Sequence, residues 1–160
     1  DKYNLLKKDM NKFMRTGHVG EIHALHELSA RVSAAIKYSK GKTDTSTTAE
    51  MSMEIGMGVC QDHVHAFIAV ARCLDFSARY VSGYLLMCDA EIQDASHAWA
   101  EVFTDGLGWV GFDISNGISP DDRYVKLATG FDYADAAPLS GVRFGSGEEQ
   151  MSTQVIVSQQ

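Results

Sequence analysis

GVCQDHVHAFIAVARCL, residues 58–74, is the most informative segment of the sequence for the fold. Its apolar residues recur at three- and four-residue spacings, which predicts a helix from about Cys60 to Leu74 with one buried side. Gly56 and Gly58 stand just before it and end the preceding segment, so Cys60 is expected at the N-terminal end of the helix. Unpaired N–H groups and the positive end of the helix dipole both favour a thiolate there. The two glycines also leave room for a substrate backbone, although they could simply end a helix.

Helices are predicted before this stretch and strands after it. Residues 20–38 have an apolar face with helical spacing, and Thr47 with Glu50 matches the capping box that starts another helix. Aromatic and β-branched residues predict strands in ARYVSGYLLM, SHAWAEVFT and GWVGFDIS, and less regularly in VRFGSG and QMSTQVIVSQ. Helices followed by an antiparallel sheet predict an α+β fold, with the N-terminal helices packed on the sheet.

Composition narrows the function classes. The chain has 160 residues, 45% of them apolar, which suits a single globular domain over residues 1–160. Its net charge of −7, without a basic cluster, argues against nucleic acid and anionic membrane surfaces as partners. No long apolar run or signal peptide is visible, and the odd count of three cysteines suits a reducing, cytoplasmic compartment. No cofactor is expected.

A reactive thiol needs a base, and six histidines are available. His63 and His65 follow Cys60 on the same helix, so their side chains diverge from its sulfur. His97 instead begins a strand rich in aromatic residues, where its ring would need a partner for the second nitrogen. We therefore predict that His97 is the base.

Asp113 is the expected partner of His97, because the turn at residues 105–108 folds their two strands together. A hairpin centred between Leu107 and Gly108 would put His97 opposite residue 117 or 118, a few positions beyond Asp113. A β-bulge or a wider turn could absorb the difference. The alternative is that Asp113 caps the turn formed by residues 115–117.

The segments at 58–85 and 95–117, containing GVCQD, SHAW and GFD in that order, resemble the core of the bacterial transglutaminase-like superfamily. The resemblance implies a papain-like core in which Cys60 is the nucleophile, His97 the base and Asp113 the orienting acid. Asp113 is followed by Ile114-Ser115, where the family usually has Pro-Thr. Relatives commonly carry an N-terminal β domain, and we expect this chain to be the catalytic domain without it.

The resemblance also implies a chemistry: the thiolate attacks an amide carbonyl of a peptide or protein, and a thioester follows. We expect hydrolysis by a cysteine protease, because no calcium loop is visible and a small open domain excludes water poorly. Transfer to an amine by a transglutaminase, or deamidation, is the alternative within this class.

Two alternatives to a cysteine enzyme remain, each from another functional class. A metal site could use Asp62, His63 and His65, although their spacing lacks the His-x-x-x-His pattern of helical zinc sites. The domain could instead be a non-catalytic binding module on the same fold. Selective alkylation of Cys60 would favour the enzyme over the module.

Overall fold

The structure is a computed structural model that describes residues 2–16, 20–86, 92–93, 96–139 and 155–157. The helices and strands of these residues are, in chain order, α1 Lys2–Thr16, α2 Glu21–Ala35, β1 Lys37–Tyr38, α3 Ala49–Ile55, β2 Met57–Gly58, α4 Cys60–Cys73, β3 Ala78–Leu85, β4 Ile92–Gln93, β5 His97–Thr104, β6 Gly108–Phe112, β7 Tyr124–Gly130 and β8 Val155–Ile156. None of the helices is long and apolar enough to span a bilayer.

Four antiparallel strands form the main sheet in the order β6-β5-β3-β7. Helix α4 packs on this sheet and the other helices pack around α4, so that the apolar sides of helices and strands meet in one core. The predicted α+β fold, with helices before an antiparallel sheet, is therefore confirmed.

Helix α4 lies at the centre of this core. One side packs on β3 and β5 and the other on α2 and α3, which leaves Val64, Phe67 and Ala71 almost fully buried. Burying these side chains contributes roughly 1.5–3 kcal/mol for each of the larger ones. Because α4 is packed on several sides, its position is fixed. Its first residue, Cys60, is therefore fixed in place as well.

The cap before α3 lies one residue later than the sequence pattern predicts. Thr48 is the N-cap and accepts a hydrogen bond from the Met51 amide at 3.2 Å. Thr47 is buried instead, and its hydroxyl accepts from the Asp44 amide at 3.0 Å. Gly56 ends α3 in the left-handed region with φ 70°, the conformation in which glycine is favoured.

The hairpin of β5 and β6 is centred earlier than the predicted position between Leu107 and Gly108. Thr104 pairs with Gly108, so the turn centres on Gly106, whose φ is 85°. The pairing runs on to Ala100 and Phe112, after which an isolated bridge joins Asp113 to Ile118. The chain therefore turns back directly after Asp113.

The C-terminal part of the sheet differs from the prediction. β7 was not predicted as a strand, yet it pairs with β3 along one edge of the main sheet. Within the predicted strand QMSTQVIVSQ, only β8 is a strand among the described residues, and it pairs with β4 rather than joining the main sheet. VRFGSG, at residues 142–147, lies outside the described residues.

Candidate active site

Cys60 is the first residue of α4, as the sequence predicts, and Asp62 organises the backbone before it. The Asp62 carboxylate accepts the Val59 N–H at 2.7 Å and the Thr43 hydroxyl at 2.6 Å. A Cβ on Gly58 would stand 2.6 Å from this carboxylate. Gly58 is therefore required by Asp62, and the clearance for a substrate backbone stays a prediction.

His97 and Asp113 meet at the open end of the β5–β6 hairpin. His97 is the first residue of β5, and Asp113 follows the last residue of β6. The His97 Nε2 atom lies 2.6 Å from Asp113 Oδ2. The side chain of Cys60 lies close enough to His97 to raise the pKa of its ring. Since Nε2 is taken by Asp113, Nδ1 is the ring nitrogen left for the sulfur.

Asp113 is fully buried, and its carboxylate accepts four hydrogen bonds. Oδ2 accepts from His97 Nε2, from the Tyr124 hydroxyl at 2.7 Å and from Asn116 Nδ2 at 2.7 Å. Oδ1 accepts from the Asn116 backbone N–H at 3.1 Å. The partnership with His97 and the alternative, a cap of the following turn, therefore do not exclude each other, because one carboxylate faces the His97 ring and also caps the turn.

His97 and Asp113 shift each other's pKa. Burial alone lowers the pKa of His97, but hydrogen bonds to Asp113 and Cys60 and their negative charges raise it to about 9. Burial alone raises the pKa of Asp113, but hydrogen bonds from His97, Tyr124 and Asn116 and the His97 charge bring it below its usual value. At neutral pH the site therefore holds an imidazolium next to a carboxylate.

Tyr124 and Asn116 are contacts of the site that sequence reasoning missed. Asn116 lies in the turn after Asp113, and its side chain could have been suspected from that position alone. Tyr124 comes from β7, and its ring lies 6.0 Å from the His97 ring and 5.4 Å from the Trp99 ring. Only the pairing of β7 with β3 brings Tyr124 to Asp113, so no local pattern could reveal it.

His63 and His65 are hydrogen-bonded to different residues and do not form a common site with Asp62. His63 is buried, with Nε2 2.6 Å from the Ile36 carbonyl and Nδ1 2.8 Å from the Ser115 hydroxyl. His65 Nε2 accepts the backbone N–H of Tyr133 at 3.2 Å. Among the described residues, no group of three possible ligands is arranged for a metal ion.

A cleft of about 300 Å³ opens beside Cys60. Tyr38, Tyr80 and Tyr133 form much of its wall. Burial, together with the charge of Cys60, raises the pKa of both Tyr38 and Tyr80, so these phenols stay neutral at the cleft surface. A substrate side chain could lie between these rings while its carbonyl approaches the sulfur.

We expect the His97 ring to titrate near pH 9, well above the usual 6.5, because Asp113 and Cys60 stabilise its charged form. Since the pKa is higher in the folded protein, this group stabilises the fold fully below about pH 6.5, and the contribution is lost as the pH rises through about 9. An NMR titration of the imidazole checks the value. Cys60→Ala should lower the midpoint, and a midpoint near 6.5 in the parent would contradict the pairing.

Sequence comparison places the chain in a family. The family model for the transglutaminase-like superfamily matches residues 9–114. An uncharacterised Mycobacterium leprae protein is 32% identical over 145 residues, covering 83% of this chain and 51% of that protein. An uncharacterised Mycobacterium tuberculosis protein is 34% identical over 140 residues, covering 81% of this chain and 45% of that protein. The chain thus spans about half the length of these relatives.

A solved structure agrees with the family match. A Cytophaga hutchinsonii protein, described as a candidate cysteine protease, superposes with a TM-score of 0.74 at 27% identity. The match covers 99% of this chain and 53% of that protein. From the family match and this likeness in fold, the chain belongs to the transglutaminase-like superfamily.

Proposed function

We propose that this domain is a cysteine-nucleophile enzyme that hydrolyses amide bonds of peptides or proteins through a thioester on Cys60. One observation carries the proposal: the His97 ring lies beside Cys60 at the start of α4 and is hydrogen-bonded through Nε2 to the buried carboxylate of Asp113. A nucleophile, a base and a group that orients the base are what covalent acyl transfer requires. The family and the fold of the candidate protease agree with it.

The raised pKa of His97 suits this chemistry. An imidazolium at neutral pH stabilises a thiolate on Cys60, and the thiolate attacks the amide carbonyl. The proton held on the ring then passes to the leaving amine, which departs as the thioester forms. In the second half of the reaction the neutral ring takes a proton from water, and the hydroxide displaces the thiolate. Asp113 stays ionised throughout and steadies the imidazolium.

The start of α4 supplies donors for the negative oxygen of the tetrahedral intermediate. N–H groups in the first turn of a helix have no partner within the helix. Asp62 uses the Val59 N–H, so the amides of Cys60 and Gln61 are the next ones in the turn. Donors fixed before the reaction cost no reorganisation when charge develops. These amides are our candidates for the oxyanion site.

Water has access to this cleft, which favours hydrolysis over transfer to an amine. Tyr38 on the cleft wall is 54% exposed, and Lys40 beside it is exposed as well. A transglutaminase must keep water from its thioester long enough for an amine to arrive. Because the cleft wall is exposed, water is expected to reach the thioester before an amine does.

Trapping the thioester by mass spectrometry tests the proposal. The protein is incubated with a peptide mixture, with and without a primary amine, and the Cys60 peptide is searched for an acyl adduct. Free acids in both reactions support hydrolysis, whereas amine adducts would make the domain a transglutaminase. No adduct, together with equal alkylation of Cys60 and Cys73 by iodoacetamide, would instead support a binding module.

Tyr124→Phe tests whether the acid is held by its neighbours. The change removes one donor to Asp113 Oδ2 but keeps the ring against His97 and Trp99. A hydrogen bond to a charged group contributes about 1.5–3 kcal/mol, so we expect kcat/KM to fall by roughly ten- to a hundredfold, mostly through kcat.

Tyr3→Phe is the matched control for Tyr124→Phe. Its hydroxyl contacts Cys73 at 3.4 Å, at the far end of α4 from Cys60. The His97 pKa provides a second measurement, because a carboxylate with one donor fewer should raise it further in Tyr124→Phe. An unchanged rate and an unchanged His97 pKa in that variant would show that Tyr124 does not position the acid.

A further inference from the structure

The cleft beside Cys60 carries one permanent charge on its wall. Lys40 is the only Lys, Arg, Asp or Glu among the described residues that line it. The Lys40 side chain is exposed, and no described carboxylate lies within ion-pair distance of its ammonium group. The ammonium is therefore available to a molecule that enters the cleft.

The backbone around Lys40 is attached to the residues that precede and follow Cys60. The Ser39 N–H donates to the Gly58 carbonyl at 2.7 Å, which extends the pairing of β1 with β2. After Lys40, the Thr43 hydroxyl donates to the buried Asp62 carboxylate at 2.6 Å. Both connections end within two residues of Cys60, so the segment holds Lys40 at the cleft and does not swing freely in solvent.

The charges of the site explain why this lysine matters. The site contains the fully buried carboxylate of Asp113, a negative charge that is hydrogen-bonded to the His97 ring. The whole chain carries −7 as well. Without a cation, the cleft would repel anionic substrates, and Lys40 supplies that cation where a substrate enters.

We propose that Lys40 makes the cleft select acyl substrates that carry a carboxylate or another anion close to the scissile carbonyl. The inference rests on the proposed function, because it assigns a preference to the same cleft. A partly exposed ion pair contributes only modestly, so Lys40 sets a preference among substrates and is not a condition for the reaction.

Two small alkylating reagents measure this preference at the sulfur. Iodoacetate and iodoacetamide present the same reacting carbon, and only iodoacetate carries a negative charge. The rate of each at Cys60 is followed by mass spectrometry in the parent and in Lys40→Gln. We expect the ratio of the iodoacetate rate to the iodoacetamide rate to fall about three- to tenfold in Lys40→Gln at low ionic strength. The difference should shrink at about 0.5 M salt.

Lys42→Gln is the matched control, since it removes the same charge from an exposed position two residues away that does not line the cleft. Its ratio should stay within about twofold of the parent ratio, because an exposed charge outside the cleft is screened. An equal fall in both variants would reduce the effect to net charge and overturn the proposal. No fall in Lys40→Gln would overturn it as well.

Peptides extend the test to acyl substrates. Pairs that differ only in Glu against Gln next to the cleaved bond are compared by the amount of thioester trapped on Cys60. The parent should favour the Glu peptide, and Lys40→Glu should reverse the preference. A preference for Gln in the parent would contradict the proposal.

Failure of the proposed function would look different. In that case iodoacetamide would label Cys60 no faster than Cys73 in the parent, whatever the ratio of the iodoacetate rate to the iodoacetamide rate. Rapid labelling of Cys60 with an unchanged ratio would leave the enzyme mechanism standing and overturn only the role of Lys40.

Discussion

Cys60→Ala is expected to abolish turnover and leave the protein folded. The attacking sulfur is lost, and no other described side chain at the cleft carries a thiol. Loss of the nucleophile in enzymes of this type costs several orders of magnitude, so kcat/KM should fall by at least about a thousandfold. Cys60 is only partly buried at a helix end, where alanine is well tolerated, so the melting temperature should change by a few degrees at most.

Cys73→Ala is the control for this substitution. Cys73 is an exposed free thiol at the other end of the same helix, and its removal should leave kcat/KM nearly unchanged. Both variants are compared by steady-state kinetics and by thermal unfolding. Residual activity of Cys60→Ala above a few per cent of the parent would rule out the covalent mechanism.

Local patterns predicted the elements that position Cys60. The helical spacing of apolar residues in α4 and the left-handed glycine before it are properties of short segments, and Gly56 ends α3 as predicted. α1 was missed although Leu6, Met10 and Phe13 recur at four- and three-residue spacings, so the periodic signal of a helix was present in the sequence. β7 was missed for a different reason, since it is an edge strand whose side chains are mostly exposed.

The contact between His97 and Asp113 depends on the register of the β5–β6 hairpin, which was harder to predict from the sequence. The turn Asp105-Gly106-Leu107-Gly108 has two glycines with positive φ, so its composition allows more than one centre. With the true centre at Gly106, residue 115 instead of 117 or 118 would face His97, and the pairing of β6 ends at Phe112. The contact of Tyr124 with Asp113 follows from how β7 pairs with β3 in the sheet and leaves no mark in a local pattern.

The buried carboxylate of Asp113 gives the second large expected effect. Every partner of its oxygens is a donor, which suits a carboxylate and does not suit an amide. In Asp113→Asn, a carbonyl turned toward His97 would leave the amide NH2 facing the Asn116 backbone N–H. The variant should therefore lose some stability, about 1–3 kcal/mol, as well as the negative charge beside the ring.

Asp113→Asn should fold and lose rate. Without the charge, the pKa of His97 should fall from about 9 toward or below its usual value, and fewer molecules would hold the thiolate–imidazolium pair at neutral pH. Comparable changes in serine triads cost on the order of ten-thousand-fold, but a preformed ion pair depends less on the acid, so we expect a loss of roughly ten- to a thousandfold.

Asp113→Ala should be worse than Asp113→Asn, because it leaves the His97 N–H and the Tyr124 hydroxyl without a buried partner. Kinetics and an NMR titration of His97 in both variants separate the two effects: lost charge lowers the pKa of the ring, whereas lost orientation lowers kcat at every pH. If Asp113→Asn turned over at the parental rate with an unchanged His97 pKa, the acid would have no part in the mechanism, and the machinery would reduce to Cys60 and His97.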